Sequence, residues 1–117
     1  LRDLARLGNI YLHEGFWNGK QIVPADWVRA SVTADKAHLL PKGDSLGYGY
    51  QWWVPWGNEG DFMAIGIYGQ AIYVNPSLNI VIAKTSAYKG YERDGEAMEL
   101  ESVAFMRAIA SALGKAS

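Results

Sequence analysis

Two glycines inside an apolar stretch are the residues of this sequence whose placement most indicates chemistry. Gly66 and Gly69 interrupt residues 61–76, which otherwise have the apolar and aromatic composition of a β-hairpin. A glycine within a strand usually marks a bulge or a place where a second backbone or a ligand approaches closely. The stretch contains no serine, cysteine or histidine. It therefore predicts either an ordinary hairpin or a framework against which a catalytic group from elsewhere acts.

The order of residues in this stretch resembles the third motif of the serine-reactive β-lactamase and penicillin-binding-protein superfamily. The similarity is closest to the esterase and 6-aminohexanoate-dimer hydrolase branch. In that branch an aromatic or small residue, any residue and a glycine replace Lys-Thr-Gly, and a Tyr-Gly-Gln-like run follows. Ala64-Ile65-Gly66 would occupy the motif here, with Ile67 next.

The resemblance implies that a backbone amide, rather than a side chain, does the chemistry of this strand. In the superfamily the motif strand forms one wall of the cleft, and the N–H after the glycine is one of two oxyanion-hole donors. The Ile67 N–H is accordingly the candidate catalytic group. A fixed amide stabilises the developing charge without reorganising, which contributes about 100-fold or more in rate. The candidate substrate-binding residues are Ala64, Ile65, Gly66 and Tyr68, and Tyr68 could instead pack in the core.

The departure from Lys-Thr-Gly bears on the substrate. A lysine or histidine would supply a cation for a substrate carboxylate, whereas Ala64 offers only space and Ile65 only apolar contact. We therefore expect carboxylic esters or linear amides, processed through an acyl-enzyme, rather than β-lactams. The alternative is a penicillin-binding or β-lactam-recognising relative, although that branch commonly keeps Lys-Thr-Gly or His-Thr-Gly.

The helices and turns before this motif follow the order found between the second and third motifs of the superfamily. Residues 1–12 have apolar side chains at helical spacing, and the predicted helix ends near Glu14-Gly15. Asn18-Gly19 predicts a tight turn, and residues 25–32 predict a short helix beginning beside Pro24. The family likeness therefore covers nearly the whole chain.

The aromatic and apolar runs predict a three-stranded antiparallel meander after a polar loop at 33–46. Its strands are expected at about 47–54, at 61–75 with a break near Gly66, and at 79–86. The last strand is apolar on both faces, which favours a covered strand over an edge strand.

A long helix is predicted from 94 to 113, ending at Gly114. Its apolar stripe toward the sheet would comprise Met98, Val103, Phe105, Met106, Ile109 and Leu113. The predicted fold class is α+β: an antiparallel sheet of about three strands with N-terminal and long C-terminal helices, a fragment of the β-lactamase-like α/β domain.

The nucleophile of the superfamily is not where it is expected, since its chemistry needs a Ser-x-x-Lys and usually a Tyr-x-Asn upstream of the third motif. Ser86-Ala87-Tyr88-Lys89 matches by letters but follows a strand, and Tyr73-Val74-Asn75 belongs to the hairpin after the motif. Both are predicted to be structural. The chain also begins at Leu1 within a helical pattern. We therefore expect residues 1–117 to be a single C-terminal segment of a serine hydrolase, inactive alone.

Composition sets bounds on partners and compartment. With 117 residues, half of them hydrophobic, the chain can bury a core. Five Trp, seven Tyr and three Phe are many for a segment, so an exposed apolar patch and a homo-oligomer are expected. A net charge of −1 gives no case for nucleic acid or anionic membranes, and no apolar run reaches the length of a membrane span.

Cysteine is absent, which removes disulfides and thiolate metal sites and is compatible with a reducing compartment such as the cytoplasm, without requiring one. His13 and His38 are isolated and are expected at the surface or in capping roles. No metal or cofactor is implied.

A rival interpretation is a non-catalytic binding module with an aromatic platform. Its candidate side chains are Trp17, Trp52, Trp53 and Trp56. Because adjacent residues of a strand point to opposite faces, Trp52 and Trp53 could not both face one ligand.

Overall fold

Three helices and two antiparallel sheets make up the computed structural model, which describes residues 1–43 and 45–116. The helices are α1 (Arg2–Leu12), α2 (Ala25–Ser31) and α3 (Tyr91–Ala116). The small sheet pairs β1 (Phe16–Trp17) with β2 (Lys20–Gln21). The large sheet has the order β3 (Gly47–Tyr48), β4 (Trp53–Val54), β5 (Phe62–Gly66), β6 (Gln70–Asn75) and β7 (Ile80–Lys84). The predicted α+β class is confirmed.

The large sheet lies between α1 and α3. Successive residues of a strand point to opposite faces, so Met63 and Tyr73 pack against α3 while Phe62 and Val74 pack toward α1. Helix α3 contributes the buried side chains of Val103, Met106 and Ala110. Helix α1 contributes the half-buried side chains of Tyr11 and Leu12. The strands that carry the candidate motif are thus fixed on both faces.

The short elements before the large sheet agree with their sequence signals. Asn18 and Gly19 both have positive φ, 50° and 79°, as the tight turn between β1 and β2 requires. Helix α2 begins directly after Pro24. The predicted loop at 33–46 contains one 3₁₀ turn at Ala37–Leu39, and Asp44 lies outside the described residues.

Two predictions about α3 are wrong. Phe105 and Leu113 are 56% and 54% exposed. The buried face of α3 is formed by Val103, Met106 and Ala110, which pack against the sheet. The helix also continues past Gly114 to Ala116. A Cβ at Gly114 would lie 3.0 Å from Leu78 Cδ2, so this glycine permits a close approach instead of ending the helix.

The sheet has more strands than the three predicted. Residues 47–54 form two short strands, because the chain turns at Gly49, whose N–H donates to the Trp52 carbonyl at 2.8 Å. Gln51 takes a φ of 69° in this turn. Among the described residues β7 ends the strand order, with apolar neighbours on both of its faces. The predicted cover over its outer edge stays a prediction.

Helix α1 and Leu1, the residue that precedes it, leave part of their apolar surface uncovered. Leu1, Leu4 and Leu7 are 64%, 39% and 44% exposed. The homo-oligomer expected from such surface stays a prediction. In the described part of the chain, no helix combines the length and the apolar character needed to cross a membrane.

We expect Gly8→Ala to destabilise the fold by about 1–3 kcal/mol, the range for overpacking, although alanine is intrinsically the better helix former. A Cβ at Gly8 would lie 2.7 Å from Val81 Cγ1 and 2.8 Å from Ile72 Cγ2. Gly95 of α3 is the matched control, since a Cβ there meets nothing within 4 Å.

Gly95→Ala should stabilise by about 0.5–1 kcal/mol, so the two substitutions shift the urea midpoint in opposite directions. Equal shifts of the same sign would contradict the close packing of α1 on the sheet.

Candidate active-site strand and turn

The candidate motif lies at the end of β5, where the chain turns into β6. Strands β5 and β6 pair from Phe62↔Val74 to Gly66↔Gln70, which leaves Ile67–Gly69 as the connecting turn. Tyr68 and Gly69 have φ of 63° and 90°, the left-handed values by which a short connection reverses the chain. The predicted break near Gly66 is therefore a tight turn between two strands.

The structure places the candidate residues on different sides of this turn. Ala64 is half-buried on the face covered by α1, whereas Ile65 packs toward α3. Ile67 is 63% exposed and Tyr68 is 49% exposed. The Tyr68 ring meets that of Tyr91 edge to face, with centroids 6.1 Å apart.

A cavity of about 230 Å³ brings three of the five candidates together. Its lining residues are Leu4, Ala64, Ile65, Gly66, Gln70, Ala71 and Ile72. All seven are uncharged, so this surface carries no cation for a substrate carboxylate. Ile67 and Tyr68 do not line this cavity and stand in the turn beside it. The assignments of all five residues to a site stay predictions.

The outer side of β5 is open next to the turn. Strand β4 pairs with β5 only at Trp53↔Met63, so residues 64–66 have no strand on that side among the described residues. The backbone near Gly66 is thus reachable from outside the sheet.

Comparison with known proteins gives the family. No protein-family model matches the chain. It is 30% identical over 96 residues to the 6-aminohexanoate-dimer hydrolase of Paenarthrobacter ureafaciens, which covers 74% of this chain. A solved structure described as "Putative 6-aminohexanoate-dimer hydrolase from Bacillus anthracis" is 33% identical, covers 97% of this chain and has a TM-score of 0.76.

The chain is a relative of the 6-aminohexanoate-dimer hydrolases. The resemblance drawn from the third motif is thereby confirmed for the branch as well as for the fold. The chain spans 24% of the length of the Paenarthrobacter hydrolase and 29% of the Bacillus chain.

The Tyr73-Val74-Asn75 match is structural in this hydrolase relative, as predicted. Tyr73 Oη donates to Asp61 Oδ2 at 2.7 Å, and Asn75 Nδ2 donates to Tyr73 Oη at 3.2 Å. Burial and the Asp61 carboxylate raise the pKa of Tyr73, which keeps the phenol protonated as a donor. These side chains are at most 3% exposed, so the network serves the core rather than a cleft.

Arg107 completes this buried network from α3. Its Nε and Nη2 donate to the two oxygens of Asp61 at 2.8 and 2.9 Å, and Nη2 also donates to the Trp56 carbonyl at 2.6 Å. Hydrogen bonding to Asp61 raises the pKa of Arg107 above its usual value. The sequence analysis did not identify this pair. The indication available in the sequence was an arginine next to the apolar stripe of the helix that is now α3.

The backbone of Ser86 supports the turn between β5 and β6, and the structural role predicted for its side chain stays a prediction. Ser86 follows β7, and its backbone N–H donates to Gln70 Oε1 at 3.1 Å while its carbonyl accepts from Gln70 Nε2. Helix α3 begins only at Tyr91, so Ser86 and Lys89 do not share a helix.

The four tryptophans do not form an aromatic platform, and the rival interpretation is wrong on this point. Trp52 is 5% exposed and packs between Tyr11 and Phe62. Trp53 pairs with Tyr48 across the strands, and the Trp56 ring lies 5.3 Å from the Arg107 guanidinium carbon.

Histidine takes a capping role at one of the two predicted positions. His13 Nδ1 lies 2.9 Å from the Asn9 carbonyl oxygen at the end of α1. Residues 1–43 and 45–116 contain no group of three or more His, Asp or Glu side chains placed to hold a metal ion.

Arg107→Met should destabilise the fold by about 3–5 kcal/mol, because it leaves the Asp61 carboxylate buried without its partner. Arg6→Met is the control: Arg6 pairs with Asp3, but these side chains are 65% and 92% exposed, so the loss should stay below about 1 kcal/mol. Chemical denaturation of both variants measures the difference. Equal midpoints would show that the buried pair contributes no more than a surface pair.

Proposed function

We propose that this chain supplies the third-motif strand and one oxyanion donor of a serine-dependent hydrolase that acts on carboxylic esters or linear amides. The observation that carries the proposal is the position of Ile67. It follows Gly66 at the motif position, it opens the turn after β5, and it is 63% exposed. The similarity to 6-aminohexanoate-dimer hydrolases supports the same chemistry, since a dimer of an amino acid is joined by an amide.

In this mechanism a serine oxygen attacks the substrate carbonyl carbon and gives a tetrahedral intermediate. The negative charge on its oxygen is stabilised by the Ile67 N–H and by a second donor. The alcohol or amine then leaves with a proton, and water hydrolyses the acyl-serine. In this proposal the nucleophilic serine, its lysine base, the tyrosine and the second donor lie outside residues 1–117, and the chain alone is inactive.

The uncharged cavity beside the turn favours neutral acyl groups. Ala64 and Leu4 give it apolar walls, and Gly66 keeps the approach to the turn open. We propose that this cavity contacts the acyl side of the substrate, with Tyr68 at its margin. Substrates that depend on a cation for a carboxylate, as β-lactams do, should be processed poorly.

The first test compares the full gene product with the 117-residue chain. Hydrolysis of p-nitrophenyl butyrate and labelling by a fluorophosphonate serine probe are measured for both, after their masses are confirmed. We expect turnover and labelling for the full gene product and neither for the chain alone. Labelling of the chain itself would contradict the proposal and make Ser86 the leading nucleophile.

Ile67→Pro in the full gene product tests the amide directly, because proline has no backbone N–H, although it also removes the isoleucine side chain and fixes φ. Gly66 has φ −115° and ψ 167°, a conformation that tolerates a following proline. We expect kcat to fall about 100-fold. Ile67→Ala, which keeps the N–H, is the control and should change kcat less than tenfold. Equal losses in both variants would assign the effect to the side chain.

A further inference from the structure

The side-chain amide of Gln70 makes hydrogen bonds of the kind that a further backbone pair between β6 and β7 would make. The backbone pairing of β6 with β7 ends at Ala71↔Lys84. Beyond that point the Gln70 amide bonds both backbone groups of Ser86, donating from Nε2 to the carbonyl and accepting at Oε1 from the N–H at 3.1 Å. This two-point contact has the donor and acceptor pattern of a peptide unit, so it extends the sheet by one step.

The same segment contacts the two residues before Gln70. The Tyr88 N–H donates to the Tyr68 carbonyl at 3.1 Å. A Cβ at Gly69 would lie 3.1 Å from Ser86 Oγ and 3.3 Å from Ser86 Cβ, so the glycine is needed where the two segments meet. The turn is therefore held at 68, 69 and 70 by residues 86–88.

The turn needs this support. Tyr68 occupies the left-handed region at φ 63° and ψ 19°, which costs a residue other than glycine about 1 kcal/mol or more. A turn of this kind keeps one geometry only while its surroundings hold it. Ile67 precedes Tyr68 directly, so a change in the turn changes the direction of the Ile67 N–H.

We propose that Gln70 is a positioning residue for the Ile67 N–H: its two bonds to Ser86 fix the turn that presents the amide to the oxyanion. This inference rests on the proposed function. It assigns Gln70 no contact with the substrate's reacting atoms.

Gln70→Glu in the full gene product is the sharpest variant, because glutamate has the same shape. Its carboxylate still accepts from the Ser86 N–H but cannot donate to the Ser86 carbonyl, whereas the protonated carboxyl can do both. We expect kcat about tenfold below the unsubstituted protein at pH 8, and a higher KM as well, because the new carboxylate also lines the cavity proposed for the acyl group. Deleting the donor outright costs more, about 100-fold.

The pH dependence of kcat distinguishes a positioning role of Gln70 from a general loss of structure. Restoring the second bond needs a proton, so the ratio of variant to unsubstituted kcat should rise as pH falls through the carboxyl pKa of the new glutamate. Gln70→Leu should stay low at every pH. Gln51→Glu is the matched control, since Gln51 is exposed and the same charge change there should leave the ratio near one throughout.

Backbone hydrogen exchange of the peptide covering residues 67–70, corrected for intrinsic rates, measures whether Gln70 fixes the turn, independently of activity. We expect faster exchange in Gln70→Glu at pH 8 and recovery at low pH. Unchanged exchange, or a kcat ratio independent of pH, would overturn the positioning role. If exchange responds but the unsubstituted protein hydrolyses neither esters nor amides, the proposed function fails instead.

Discussion

The buried ion pair between Asp61 and Arg107 is the interaction on which the sheet and its long helix depend. It joins the residue before β5 to the middle of α3, across 46 positions of sequence. Removing two charges from water is costly, and this pair recovers the cost through bidentate geometry and through further bonds to Tyr73 and the Trp56 carbonyl. The pair fixes the position of α3 on the sheet at one defined point, in addition to the apolar contacts of Val103, Met106 and Ala110.

The β5–β6 hairpin is consequently fixed at both ends by polar contacts. At its base, Tyr73 and Asn75 join the ion pair, and at its tip the Gln70 amide binds Ser86. The hairpin has five cross-strand pairs, and two of them contain the anchor residues Tyr73 and Gln70. The direction of any group in the turn is therefore set by long-range contacts as well as by the local backbone. A backbone donor suits such a site, because its orientation depends on the fold and not on side-chain rotamers.

Local patterns were sufficient to predict the helices, the Asn18-Gly19 turn and the break near Gly66, because each depends on nearby residues. They were insufficient where distant residues decide. Phe105 belongs to an apolar pattern but points away from the sheet, since the buried stripe is set by how α3 docks. The roles of Gln70 and Arg107 depend on partners 16 and 46 positions away. No spacing rule within one element reveals such pairs.

The contact of Gly8 with the sheet has a consequence for how this sequence can vary. Helix α1 approaches so closely that the space for a Cβ is already filled by methyl groups of Val81 and Ile72. Because a core tolerates substitutions that conserve total volume, a larger residue at position 8 requires a smaller one at 72 or 81. These three positions, far apart in the chain, form a single volume constraint and should change together among homologous sequences.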